Sequence, residues 1–150
     1  MNISEDMKRV ISQRSKRDAL YSNVYKNLTI VSCDINKKAA RMVINLPIID
    51  QYVNHEGFVS DAGMCHIIDT FPGIFTMAIG RRSEVAVNLK INIIGKARVG
   101  DVISIQMDYE MFEKGEYGNL EFELKNKENL IAKGSITSKF VNIFWAEEKI

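Results

Sequence analysis

The sequence predicts an α+β domain in which a curved antiparallel sheet of about six strands wraps around one central helix, with a short helix at the N-terminus. Two observations lead to this prediction. The stretch 54–80 changes from a polar loop into an almost wholly apolar helical segment, and period-two hydrophobic patterns fill most of the chain around it. Short turns separate the patterns after the helix, which favours antiparallel neighbours.

The N-terminal segment has the features of a short lid or edge helix. Ser4 is a suitable N-cap, Met7 and Val10 fall at helical spacing, and Asp18 is a candidate cap for a second turn. The stretch 28–33 is rich in β-branched residues and predicts the first strand. A second strand is predicted from the alternating apolar residues Met42, Ile44 and Leu46, and it ends at Pro47.

The central helix is predicted between good capping residues, Ser60 and Asp61, and the terminal Gly80. From 62 to 79 nearly every position is apolar or glycine, so the helix lacks the polar stripe of a surface helix and is expected to be buried. A membrane span needs roughly 20 apolar residues without charges. The acids and histidine in this stretch argue against that alternative.

Asp69 is the one acid inside the predicted buried helix. A buried carboxylate needs hydrogen bonds or has a raised pKa. One interpretation is a structural acid bonded to a neighbouring hydroxyl, such as that of Thr70, or to the backbone of a strand. The other is a general base or nucleophile in a dry cleft. The residue type alone slightly favours the structural interpretation.

Four further strands are predicted after the helix. The first has a long period-two pattern that is expected to place one apolar face on the core. Later strands follow from the alternation in 103–109 and 120–124 and from the apolar run 130–140. The residues of the first pattern are Val85, Val87, Leu89, Ile91 and Ile93.

Composition indicates a single domain spanning residues 1–150, with 46% hydrophobic and 26% charged residues. A net charge of +1 gives no general attraction to nucleic acid or to anionic membranes. Cys33 and Cys65 lack metal-site spacing, so reduced core thiols and no metal are expected. The N-terminus has no long apolar segment, which favours the cytoplasm, with a mitochondrial location left open.

One sheet cannot cover every side of so apolar a helix. A second subunit is therefore expected to close the remainder, and we predict an obligate homo-oligomer, either a dimer or a dimer of dimers.

The order and spacing of several short motifs resemble the hotdog-fold acyl-CoA thioesterases. The similarity is to the phenylacetate-degradation type and to thioesterase superfamily member 2 (acyl-CoA thioesterase 13). It covers nearly the whole chain, including KNLTIVS, N-x-x-G at Asn54 to Gly57, Asp69 inside the helix, KARVGD and LIAKGSIT. The resemblance implies a hotdog fold, a homotetramer, and hydrolysis of acyl-CoA thioesters without a cofactor beyond the coenzyme A of the substrate.

By position, the resemblance implies that Asn54 and the backbone N–H of Asp61 hold the thioester carbonyl, while Asp69 of a partner subunit activates water or attacks. The helix dipole and orphan N–H groups suit a developing oxyanion. Asn54 could instead only fix a turn. Two departures stand out: Ser60-Asp61-Ala62 replaces the family's His-Gly-Gly, and Ala86 replaces its serine.

Coenzyme A carries phosphates, which basic side chains bind. Lys96 and Arg98 are the preferred candidates because they lie in the turn that matches the family. His55 and His66 are interpreted as structural. The other basic candidates are Arg81, Arg82 and Lys133. The alternative to a hydrolase is a catalytically degenerate hotdog protein that binds acyl-CoA or serves as a structural subunit.

Overall fold

The computed structural model describes residues 27–35, 39–80, 83–111 and 116–141, together with positions 5, 8, 9 and 12. The predicted N-terminal helix otherwise lies outside the described residues, as does part of the loop between the fourth and fifth strands.

Six strands form one antiparallel sheet, in the order β1-β2-β4-β5-β6-β3. A short 3-10 helix (Asp50–Tyr52) and one long helix, α1 (Asp61–Gly80), lie between the second and third strands. The predicted α+β architecture is thereby confirmed. The strands are β1 (Thr29–Ile35), β2 (Ala39–Pro47), β3 (Ser83–Ile93), β4 (Val102–Met111), β5 (Tyr117–Asn126) and β6 (Asn129–Val141).

The core lies between α1 and one face of the sheet. On β2 the alternation is strict, because Met42, Ile44 and Leu46 are buried while their neighbours are more exposed. Their partners on β4 are also buried and apolar, so one face is continuous across the strands. The helix contributes Ile67, Ile68, Phe71, Ile74 and Phe75 to this core.

The sheet of one chain leaves one side of α1 uncovered, as expected from its apolar composition. The exposed stripe comprises Asp61, Ala62, Cys65 and Asp69. Cys65 lies four residues after Asp61, three after Ala62 and four before Asp69, so these positions share one side of the helix. Asp69 is therefore not buried within the single chain.

The predicted single apolar face of β3 is interrupted by a β-bulge. Register shifts between Ala86, which pairs with Ser138, and Asn88, which pairs with Thr137. Val87 is the extra residue, and a bulge of this kind reverses which positions face the core. Val85 consequently pairs with the exposed Lys139 on the outer face and is 51% exposed.

β3 forms one edge of the sheet, and its core-facing side is incompletely covered. Leu89 and Ile93 lie opposite the buried Ile136 and Ala132, yet they are 39% and 41% exposed. The uncovered apolar residues therefore flank the helix that carries the exposed stripe, since α1 contacts β3.

Candidate active site

Ser60 is the N-cap of α1, as predicted. Its Oγ accepts the N–H of Gly63 at 3.0 Å, and its carbonyl accepts the N–H of Met64 at 2.8 Å. The N–H groups of Asp61 and Ala62 have no intrahelical partner and find no acceptor among the described residues. They lie at the positive end of the helix dipole, where they can bind a developing oxyanion.

Gly63 allows the first turn of α1 to pack directly on the short 3-10 helix. A Cβ at this position would lie 2.3 Å from the carbonyl oxygen of Tyr52. That oxygen also accepts the N–H of Ser60 at 2.9 Å and its hydroxyl at 3.3 Å. Sequence reasoning missed this contact, and its only signal was a glycine inside the helical pattern.

Tyr52 forms the buried floor beneath the start of the helix. The residue is 3% exposed, and its hydroxyl has no hydrogen-bond partner among the described residues. Burial raises the pKa of this phenol above its ordinary value. Its ring lies 6.0 Å from that of His66, centroid to centroid, which agrees with a structural role for that histidine.

Asn54 fixes the loop that leads into α1. Its Oδ1 accepts the N–H groups of Glu56 at 3.0 Å and Phe58 at 3.2 Å, and its own N–H donates to the Phe58 carbonyl at 2.7 Å. Gly57 adopts a φ of +78°, which favours glycine. The turn-fixing role is therefore present. The side-chain NH₂ of Asn54 has no acceptor among the residues described, so it keeps its donors for a ligand.

Lys96 and Arg98 both lie against the ring of Phe58. Lys96 Nζ is 4.9 Å and Arg98 Cζ is 4.4 Å from the ring centroid. Phe58 forms an antiparallel bridge with Arg98, and the N–H of Val59 donates to the Ala97 carbonyl at 2.9 Å. The two residues that were predicted to bind coenzyme A therefore pack against the loop that contains Asn54. Phe58 itself was not among the predicted site residues.

Asp101 closes the turn that carries Arg98. Its Oδ2 accepts the Arg98 N–H at 2.8 Å and the Asn126 side-chain amide at 2.7 Å. The Arg98 N–H is the main cause that lowers the pKa of the Asp101 carboxyl below its ordinary value. The ionised carboxylate therefore stabilises this turn.

Asp69 is separated from the other predicted catalytic groups within one chain. Eight residues of α-helix place it about 12 Å along the axis from Asp61. Its exposed side chain forms no bond with Thr70, whose buried hydroxyl has no partner in the described part of the chain. The interpretation of Asp69 as a structural acid held by that hydroxyl is therefore wrong.

Of the remaining basic candidates, Lys133 is not part of this arrangement. Lys133 lies on the outer face of the sheet, where it pairs across strands with Asn92 and Glu123. Arg81 and Arg82 lie outside the described residues.

Two cavities, of about 560 and 430 Å³, are lined mainly by polar residues of the sheet. Neither contains Asn54, Asp61 or Asp69. Asn54, Asp61 and Asp69 are instead exposed on the surface of the single chain.

No cluster of metal-ligating side chains occurs within the described ranges. No helix in those ranges is long and apolar enough to cross a membrane.

Comparison with solved structures identifies the fold. PaaI of E. coli, from the phenylacetic acid degradation operon, superposes with a TM-score of 0.71 at 16% identity, covering 93% of this chain and 96% of PaaI. A hypothetical thioesterase of Streptococcus pneumoniae, solved with coenzyme A, superposes with a TM-score of 0.64 at 15% identity, covering 78% of this chain and 90% of that protein. Zebrafish thioesterase superfamily member 2 superposes with a TM-score of 0.58 at 20% identity, covering 76% of this chain and 83% of that protein.

No protein-family model matches the sequence, and no significant match is found among curated proteins. At 15–20% identity the structural similarity establishes the fold alone. The arrangement of six antiparallel strands and one long helix is the hotdog fold of these thioesterase structures.

Proposed function

We propose that this protein hydrolyses acyl-CoA thioesters to a free acid and coenzyme A, in a site shared by two copies of the chain. The observation that carries the proposal is the start of α1. There, unpartnered N–H groups lie at the end of a loop that also holds a side-chain amide and two cations. The fold shared with thioesterase structures agrees with this chemistry.

The thioester carbonyl is held by the N–H of Asp61 and the side-chain NH₂ of Asn54. Both are donors, and Asn54 is rigid because its Oδ1 is already bonded to the loop backbone. Donors that are fixed before the reaction stabilise the oxyanion without reorganising during it.

The base is Asp69 of a second copy. Within one chain this residue lies about 12 Å from Asp61 along the helix axis, too far to act on a carbonyl held at the helix start. α1, which carries the exposed stripe, contacts β3, whose Leu89 and Ile93 are partly uncovered. Joining two copies there buries apolar surface, pairs an open strand edge, and removes water from Asp69. The assembly is a homodimer or a dimer of such dimers.

In the proposed reaction, Asp69 accepts a proton from water as the water oxygen bonds to the carbonyl carbon. The resulting oxyanion is stabilised by the two donors. The carbon–sulfur bond then breaks, and the coenzyme A thiolate leaves and takes up a proton. Direct attack by the carboxylate would instead form an anhydride, whose hydrolysis would place solvent oxygen in Asp69 or in the acid. Lys96 and Arg98 bind phosphates of the nucleotide end.

A binding protein without hydrolysis is the second candidate, and one observation favours it. Asp61 places a carboxylate at the first position of the helix, beside the N–H groups that would hold the oxyanion. A negative charge there opposes the development of another.

The deciding experiment is thiol release from acyl-CoA substrates of short, medium, long and aryl type. The hydrolase proposal expects release from at least one class. Binding of acyl-CoA without release from any class would reject it in favour of the second candidate.

A further inference from the structure

Phe58 holds two cations on one aromatic ring. Lys96 Nζ and Arg98 Cζ lie 4.9 and 4.4 Å from its centroid, inside the range of roughly 6 Å for a cation–π contact. Neither side chain forms an ion pair with a carboxylate of the described residues, although the Asp101 carboxylate attracts Arg98 electrostatically. Like charges repel, whereas the negative ring face attracts each of them. One ring therefore holds both cations near its centroid, and Lys96 has no carboxylate partner among the described residues.

The backbone fixes this group relative to the helix start. Phe58 bridges to Arg98, and both its N–H and its carbonyl are bonded to Asn54. On the other side, Asp101 holds the N–H of Arg98 at 2.8 Å. The cations are thus attached to the same rigid loop as the donors of the proposed site.

We infer that Phe58 is a positioning residue that makes Lys96 and Arg98 one phosphate-binding site, and that it selects thioesters carried on coenzyme A over those carried on pantetheine. This inference rests on the proposed function. A phosphate prefers two cations, and a guanidinium can bind two of its oxygens. Pantetheine thioesters have the same reacting group but no phosphate, so the pair contributes nothing to their binding.

The phosphate is either the diphosphate or the 3′-phosphate of coenzyme A. Calorimetric binding of coenzyme A, dephospho-coenzyme A and pantetheine to the full chain separates the two. If Phe58→Leu weakens the binding of coenzyme A but not of dephospho-coenzyme A, the phosphate is the 3′-phosphate. If it weakens the binding of both, the phosphate is the diphosphate. Either result supports the inference.

The variants are Phe58→Leu, Phe58→Tyr, the pair Lys96→Gln with Arg98→Gln, and that pair combined with Phe58→Leu. Loss of two exposed cation–π contacts should weaken coenzyme A binding about tenfold in Phe58→Leu. Phe58→Tyr retains a ring face and should bind like the wild type. Because Phe58 acts through the cations, the triple variant should bind coenzyme A as weakly as the variant with Lys96→Gln and Arg98→Gln, within about twofold.

Three binding results would overturn the inference: wild-type affinity in Phe58→Leu, an equal loss of pantetheine affinity, or losses that multiply in the triple variant. Melting temperatures identify variants that fail to fold, and Phe58→Met, which also removes the ring but keeps a long apolar side chain, replaces Phe58→Leu if that variant does so. Binding of free coenzyme A needs no turnover. Tight, Phe58-dependent binding without thiol release therefore rejects hydrolysis alone. Equal kcat/KM for acyl-CoA and acyl-pantetheine rejects this inference alone.

Discussion

Ala86 on β3 and Ser138 on β6 are direct cross-strand partners on the core-facing side of the sheet. Ser138 is 1% exposed, and its hydroxyl has no hydrogen-bond partner in the described part of the chain. Directly opposed residues have Cβ atoms about 4.5–5.5 Å apart. The chain thus lacks the hydroxyl that the resemblance implies at position 86, but it carries one on the adjacent strand.

The bulge at Val87 is what turns Ala86 to this face. Without the extra residue, the alternation of β3 would place Ala86 with the solvent-facing residues. A bulge in an edge strand also disturbs the regular pairing of that edge. The bulge therefore determines which face of the sheet Ala86 occupies, and it also shapes the edge that a second copy would contact.

Asp69→Asn should lower thiol release at least ~10²-fold, because a positioned base is lost. Asparagine has nearly the same size and shape as aspartate, and Asp69 forms no bond with Thr70, so the free energy of unfolding should change by less than about 0.5 kcal/mol. Steady-state kinetics and thermal unfolding measure the two effects. Cys65→Ser, on the same exposed stripe, is the matched control and should keep its activity. Unchanged turnover in Asp69→Asn would end the assignment.

Leu89→Lys should convert the oligomer into smaller species, because it places a charge on the apolar side of the edge strand. Light scattering at micromolar concentration provides the measurement. Asn88→Lys adds the same charge one residue earlier on the outer face, opposite Thr137, and should leave the dimer intact. A wild-type mass near 17.1 kDa would contradict the shared site altogether.

Gly63→Ala should destabilise the fold by roughly 1–3 kcal/mol, because the new Cβ would lie 2.3 Å from the Tyr52 carbonyl oxygen and the backbone must move. Denaturant unfolding gives the free energy. Ala62→Ser changes the adjacent, exposed position and should have an effect below about 0.5 kcal/mol. Equal stability of Gly63→Ala and the wild type would mean that the helix start is not packed on Tyr52 as described.

Tyr52→Phe should make the fold more resistant to alkali. Burial raises the pKa of Tyr52, so the fold keeps the proton that the unfolded chain releases above the ordinary value of 10.0. The stability due to this group is fully present below pH 10.0 and is lost as pH rises above it, by up to roughly 1.4 kcal/mol per pH unit. Unfolding at pH 8 and pH 11 measures the difference. The same pH dependence in both proteins would refute this explanation.

The order of elements was predictable because binary pattern and turn residues act locally. Alternating apolar residues define β2, and Ser60 caps α1 at the expected position. That one side of α1 would stay uncovered was predictable, but which side was not, because the composition of the helix is apolar even where the sheet does not reach. In the single chain the helix exposes Cys65 and Asp69, although Met64, Ile68 and Thr70 beside them are buried.

The candidate site was only partly predictable for a related reason. Asn54, Asp61 and Asp69 could be proposed from motif spacing and resemblance. The contact between Phe58 and Arg98 joins residues forty positions apart, and no periodic pattern links them. The bulge at Val87 also could not be predicted, because apolar residues alternate without interruption along the sequence of β3.

The two departures from the family pattern can be tested together, with Asp61→Gly and Ala86→Ser in one protein. Asp61→Gly removes a carboxylate from the first turn of α1, where it opposes an oxyanion. Ala86→Ser adds a hydroxyl directly opposite Ser138, so the two hydroxyls can bond to each other as cross-strand partners. Ala86→Ser in a Ser138→Ala background is therefore the control that frees the new hydroxyl for the substrate.

If the site is a working hydrolase limited at these two points, the double variant should release thiol faster with Asp69 intact. Each contact is worth roughly 1–3 kcal/mol, which corresponds to about tenfold to a hundredfold in rate. The increase should be larger when Ser138 is also alanine, because the new hydroxyl then has no competing partner. Slower release by the variant would instead mean that Asp61 or Ala86 shapes the pocket for the native substrate. An inactive wild type and an inactive variant that both still assemble would favour the binding protein, since restoring two groups cannot restore a cleft that has lost its catalytic role.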